Sequence, residues 1–152
     1  MTILFFYSAI GGKIDLTDDG LKDEHHAFED LGLALGLAYK SLQVELGPVT
    51  RFSTQYRPMD EALVRVSLDL SGRCGYYPSG QETRLSDIQS ETIQEFYKAL
   101  CRSFNCTLHI DILKGENRHH IHEATFKALG AAIKETLTPS KTLISTKGVI
   151  DL

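Results

Sequence analysis

The sequence predicts an α+β fold, a mixed sheet with helices on one face. Three observations carry that expectation. Two segments alternate apolar and polar residues, three others space their apolar residues as a helix does, and one sixteen-residue pattern occurs twice. Strands that alternate, rather than run continuously apolar, bury one face and leave the other open.

The elements follow in chain order. The apolar run Ile3 to Ile10 has no basic residue before it and is too short for a membrane span of about 20 residues. It is expected to form a first, partly buried strand. Phe28, Leu31, Leu35, Ala38, Tyr39 and Leu42 then fall on one face of an amphipathic helix. Val64, Val66, Leu68 and Leu70 alternate with Arg65, Ser67 and Asp69 until the turn Ser71-Gly72, which reads as a half-buried strand. Ile93, Phe96, Tyr97, Leu100 and Phe104 mark another helix. Leu108, Ile110 and Ile112 alternate with Thr107, His109 and Asp111, a second strand stopping at Gly115-Glu116-Asn117. Phe126, Leu129, Ile133 and Leu137 give the last helix.

With 152 residues, 42% hydrophobic and 24% charged, the chain has the size and composition of one globular domain that needs no disulfide or metal merely to fold. Twenty acidic against sixteen basic residues leave a net charge of −4. That balance, with no basic-aromatic clusters, argues against a nucleic-acid partner. Cys74, Cys101 and Cys106 are odd in number and lack C-x-x-C spacing, as expected of reduced thiols in a cytoplasmic protein.

Residues 25–40, HHAFEDLGLALGLAYK, align with residues 119–134, HHIHEATFKALGAAIK, at eight of sixteen positions. Composition alone would give about one match. One domain spanning 1–152, built from two repeats of about 1–58 and 59–152, is the expectation. The shared polar signature is H-H-x-x-E. On a helix the glutamate shares a face with both histidines, three and four residues away. Neighbouring histidines diverge by about 100°, so one pair cannot easily chelate a single ion. Each unit instead suits feeding two ions, and nitrogen with carboxylate ligands fits Mn, Fe or Zn. His109 and His122 stand outside these units and are expected to be structural or solvated.

A longer set of motifs follows in order: H-H-x-x-E-D-L-G-L-A-L-G at 25–36, R-F at 51 followed by P-M-D-E-A-L, L-D-L-S-G-R at 68–73, T-L-H-I at 107–110, G-E-N-x-H-H-x-x-E-A-x-F-K-A at 115–128 and S-T-K-G-V at 145–149. In this set the chain resembles the imidazoleglycerol-phosphate dehydratase family from about residue 13 to residue 149. The resemblance implies a duplicated fold of the ribosomal protein S5 domain 2-like type, its first half truncated here. It implies a large homo-oligomer with active sites between subunits. Manganese would be held by His25, His26, Glu29, His119, His120 and Glu123, and the phosphorylated imidazole substrate by Arg51, Arg73, Lys127, Ser145 and Lys147. The reaction it implies dehydrates D-erythro-imidazole glycerol phosphate to imidazole acetol phosphate in L-histidine biosynthesis, without a redox or organic cofactor. No membrane or nucleic acid is implied. The proton lost from carbon needs a base, and Glu29 and Glu123 are the carboxylates nearest the expected metals. Arg51 and Arg73 suit forked bonds to phosphate, Lys127 and Lys147 point charges. Asp60 and Glu61 belong to a subunit contact or to the substrate site, and spacing decides neither. Gly72 and Gly148 suit tight turns.

The chain also departs from the family pattern. Only 24 residues precede His25, without the early acidic motif or the F-x-D-H-M stretch whose histidine is a metal ligand in the family. Glu95 stands where the family has a further histidine, Ala27 where it has threonine, and Ser53 where it has glycine. Glutamate can still ligate a hard divalent ion. These departures support a second reading, a truncated product or a metal-binding homologue of reduced activity with a structural or regulatory role. The division of labour gives a first prediction. His119→Ala lowers metal affinity strongly, whereas Lys147→Ala leaves metal bound and weakens phosphate binding. Paired metal and phosphate titrations check it, and identical effects would refute the division.

Overall fold

A computed structural model describes residues 2–15, 24–80 and 88–141. Its elements are α1 (Thr2–Ser8), α2 (Glu24–Leu46), β1 (Phe52–Met59), β2 (Ala62–Asp69), β3 (Gly75–Gly80), α3 (Ile88–Phe104), β4 (Thr107–Lys114) and α4 (Arg118–Thr136). The four strands form one mixed sheet in the order β1-β2-β4-β3. β1 and β2 are an antiparallel hairpin closed by Asp60 and Glu61, and β2 runs antiparallel to β4. β3 lies parallel to β4, with α3 as the crossover between them.

The expected α+β architecture is present, and the alternation explains it. Val64, Val66 and Leu68 from β2 meet Leu108, Ile110 and Ile112 from β4 on a buried inner face, all 6% exposed or less. α4 covers β1 and β2, α3 packs on β3, and the other helices follow, α2 on α3 and α1 on α4. The opposite face of the sheet carries polar residues in ladder pairs, including Arg65 with Asp111 at 2.9 Å and Thr54 with Ser67 at 2.9 Å. Phe52, Tyr56, Tyr77 and Leu113 are exposed.

One expectation changes, and two strands are added to those expected. The first apolar run is helix α1, not a strand: Leu4 and Ser8, one turn apart, are buried together. Nothing in the run ILFFY distinguishes the two periods, and the decision comes from the helix it packs on. Strands β1 and β3 were not legible at all, because both lie at sheet edges and have few inward apolar residues. Pro78 stands within β3, which edge strands tolerate.

The helix pairs meet through glycine. A Cβ at Gly36 of α2 would lie 2.7 Å from the carbonyl oxygen of Leu100 and 3.0 Å from the amide nitrogen of Phe104 on α3. A Cβ at Gly130 of α4, its partner in the sequence repeat, would lie 2.7 Å from the carbonyl oxygen of Leu4 and 3.0 Å from the amide nitrogen of Ser8 on α1. Each glycine therefore admits a neighbouring backbone that alanine would push away. Gly72 takes φ 76°, as its turn requires. Gly130→Ala is predicted to destabilise the fold by about 1–3 kcal/mol, the usual cost of overpacking. Gly11→Ala, whose Cβ meets nothing within 4 Å, should stay within about 0.5 kcal/mol. Urea unfolding of the two variants compares them directly.

Candidate active site

One end of the sheet gathers seven residues from the β1–β2 hairpin tip and the first turns of α4: Met59, Asp60, Glu61, His119, His120, Glu123 and Lys127. The start of α4 is set by Asn117, whose side-chain oxygen accepts from the backbone N–H of His119 at 2.9 Å and of His120 at 3.4 Å. Glu61 reaches the same turn from the hairpin. Its Oε1 accepts from the backbone N–H of Asn117 at 2.8 Å and of Glu116 at 3.1 Å. Its Oε2 lies 2.7 Å from Nδ1 of His120. The Nε2 of that ring stands 3.6 Å from Oδ2 of Asp60.

His119 and Glu123 share a face as the spacing required, with Nε2 and Oε2 3.5 Å apart. The other Glu123 oxygen is 2.8 Å from Nζ of Lys127, which also reaches Sδ of Met59 at 3.3 Å. The charges respond to these partners. Glu61 is held down to about 2, first by the Asn117 N–H and then by His120. Bonding to Glu61 raises His120 above the usual imidazole value, and Lys127 lowers Glu123.

The first H-H-x-x-E unit opens α2. His25 and His26 are exposed, their rings edge to face at 5.7 Å, and the His119 and His120 rings are likewise edge to face at 6.1 Å. Adjacent histidines thus diverge in both copies, as helical geometry demands. Glu29 is gripped by Arg102 of α3 at 2.6 Å, which lowers its pKa. Each unit's carboxylate is therefore an ionised group paired with a cation at neutral pH.

Arg51 and Arg73 are not brought to this place. Arg51, with φ 77°, forks onto Asp69 through Nε at 2.9 Å and a second nitrogen at 3.4 Å. Arg73 is exposed just past β2, its backbone N–H donating to Oγ of Ser71 at 3.3 Å and its carbonyl accepting from Thr107. Both lie at the opposite end of the strands from His120, about 23 Å away at the usual rise of a strand. Of the expected phosphate contacts only Lys127 joins the histidines, while Ser145, Lys147 and the turn at Gly148 lie outside the described residues. Glu95 pairs with Lys98 on its own helix at 2.6 Å. His109 stacks on Tyr77 at 4.9 Å. His122 is half-buried and lines a cavity with Tyr97, Ile110 and Thr125, and its burial lowers its pKa. Among the described residues, no three His, Cys, Asp or Glu side chains converge as one metal site.

For Glu61 the sequence leaves a subunit contact and the substrate site open, and for Arg102 it offers no role. The P-M-D-E-A-L motif was the available signal for Glu61. Arg102 is 73 residues from its partner and left none. Removing it tests the coupling: Arg102→Met raises the Glu29 pKa toward the ordinary glutamate range, read by NMR titration of the side-chain carboxyl carbon. An unmoved titration would show that the pair carries no charge coupling.

Comparison with known proteins places these features in a lineage. The family model for imidazoleglycerol-phosphate dehydratase matches residues 1–133. The enzyme of that name from Caldanaerobacter subterraneus is 46% identical over 134 residues, covering 84% of this chain and 69% of the relative. The one from an Exiguobacterium species is 38% identical over 156 residues, covering 99% and 80%. The crystal structure of the Staphylococcus aureus dehydratase superposes with a TM-score of 0.80 at 33% identity, covering 91% of this chain and 80% of that one. That of the Pyrococcus furiosus protein, in complex with (S)-C348, gives 0.72 at 36% identity, covering 97% and 82%.

Proposed function

Because the chain belongs to the imidazoleglycerol-phosphate dehydratase family, we propose that it is a manganese-dependent hydro-lyase. It converts D-erythro-imidazole glycerol phosphate to imidazole acetol phosphate in L-histidine biosynthesis, in the cytoplasm. Within the chain, about 1–58 and about 59–152 are two repeats, a reading supported by the eight identities between residues 25–40 and 119–134.

The observation that carries the reading furthest is the distribution of donors. His119 with Glu123, and His120 with Asp60, are nitrogen–oxygen pairs of the type that suits a first-row divalent ion. Each pair offers two ligands where an ion takes four to six. His25, His26 and Glu29 offer the same ligand types from another helix. Fit is therefore good in chemistry and incomplete in number, as expected where copies of the chain supply parts of one site. The separation of Arg51 and Arg73 from His120 along the strands points the same way. The active site is assembled between protomers of a homo-oligomer.

His25, His26, Glu29, His119, His120 and Glu123 would hold manganese, which would supply a Lewis acid for the substrate's imidazole ring. The chain's own residues do the rest. One of Glu29 and Glu123, each ionised beside its cation partner, takes the proton from carbon and returns it to the departing hydroxyl, which leaves as water. Arg51 and Arg73 bind the phosphate oxygens, the first held in place by its fork on Asp69. Lys127, Ser145 and Lys147 complete the phosphate and substrate contacts.

The test is turnover by the purified protein with manganese, followed by NMR of the product. Activity is expected to disappear on chelation, to return with Mn2+, and to be lost in His119→Ala and Glu123→Gln variants of unchanged fold. Tight metal binding without turnover would instead establish the structural or regulatory reading that Glu95 supports.

A further inference from the structure

The two histidines of the second H-H-x-x-E unit, His119 and His120, are held in different ways. His119 has 77% of its side chain exposed, and its contact with Glu123 lies within its own helix at 3.5 Å. His120 is 23% exposed, and its Nδ1 is 2.7 Å from Glu61. Glu61 is itself immobilised. It closes the β1–β2 hairpin beside Asp60, whose φ of 46° is left-handed, and its second oxygen takes two backbone N–H groups where β4 hands over to α4.

An ionised carboxylate can only accept hydrogen bonds, so the ring atom facing Glu61 must carry the proton. A neutral imidazole has one N–H, and its other nitrogen is then a lone pair. From this geometry we propose that Glu61 is a positioning residue that holds His120 in its Nδ1–H form and so presents Nε2 as the ligating nitrogen. The ring's Nε2 lies beside Asp60, at 3.6 Å. One side chain thus does two jobs: it caps the helix that bears the histidine, and it orients the ring on that helix. Outer carboxylates of this kind fix the tautomer of metal-bound histidines and raise their basicity. The role at the metal rests on the function proposed above, whereas the tautomer itself does not.

Glu61→Gln is the informative variant. Its amide has the same shape and a single acceptor oxygen, so it cannot accept from both the backbone and Nδ1. Protein labelled with 15N-histidine, stripped of metal and held at a pH above the His120 titration, reports the tautomer from its ring nitrogen shifts. His120→Ala assigns the signal. Wild type is expected as Nδ1–H, and Glu61→Gln as Nε2–H or a mixture. Mn2+ affinity, read by electron paramagnetic resonance, is expected to fall about 10–100-fold in Glu61→Gln. In a His120→Ala background the same change should have no further effect.

A wild-type Nε2–H form would overturn the proposal, and that measurement needs no variant to fold. So would an unchanged tautomer and affinity in Glu61→Gln, or an equal loss of affinity in the His120→Ala background, which would mark a helix cap alone. Wild type that binds no Mn2+ yet shows the Nδ1–H form would refute the metal reading and leave the positioning of His120 standing.

Discussion

The constraint on which most of the structure depends is the burial of α4 between two different surfaces. Ile121, Leu129 and Ile133 join the core shared with the sheet, while Gly130 receives the backbone of α1. Large residues fill the space above the strands, and small ones let the other helix in. A helix held from both sides has little freedom to slide or rotate. Its first turn is therefore fixed over the β1–β2 hairpin, where His119, His120 and Glu123 emerge. The chemistry at that end follows from packing far along the helix.

Electrostatics then refine what packing has placed. The hairpin contributes two consecutive carboxylates, Asp60 and Glu61, to a helix N-terminus that already favours negative charge. Glu61 meets that positive end through backbone N–H groups, which is the first cause of its low pKa of about 2. The same carboxylate raises His120. Lys127 balances Glu123 within α4, whereas Glu29 is balanced from α3 by Arg102. Two units of matching sequence thus reach the same ionised state through different partners.

The far end of the sheet has a separate character. Arg51 and Asp69 form a forked pair beside the exposed Arg73. The arginines and the histidine cluster thus lie at opposite ends of one sheet. The outward face between them pairs Arg65 with Asp111 and stacks Tyr77 on His109, so its polar groups are largely satisfied.

Much of this was legible in the residues alone. The alternation at 62–69 and 107–114 located the two central strands, and helical spacing located α2, α3 and α4, because a residue's burial there follows directly from the period of its own segment. The H-H-x-x-E units were visible for the same reason: a glutamate three and four residues from two histidines is a local fact. Tertiary structure alone decided the edge strands β1 and β3, the helical form of residues 2–8, the grip of Arg102 on Glu29, and the place of Glu61 beside His120. Each of those depends on what a distant segment brings alongside, and no period within the segment encodes its neighbour.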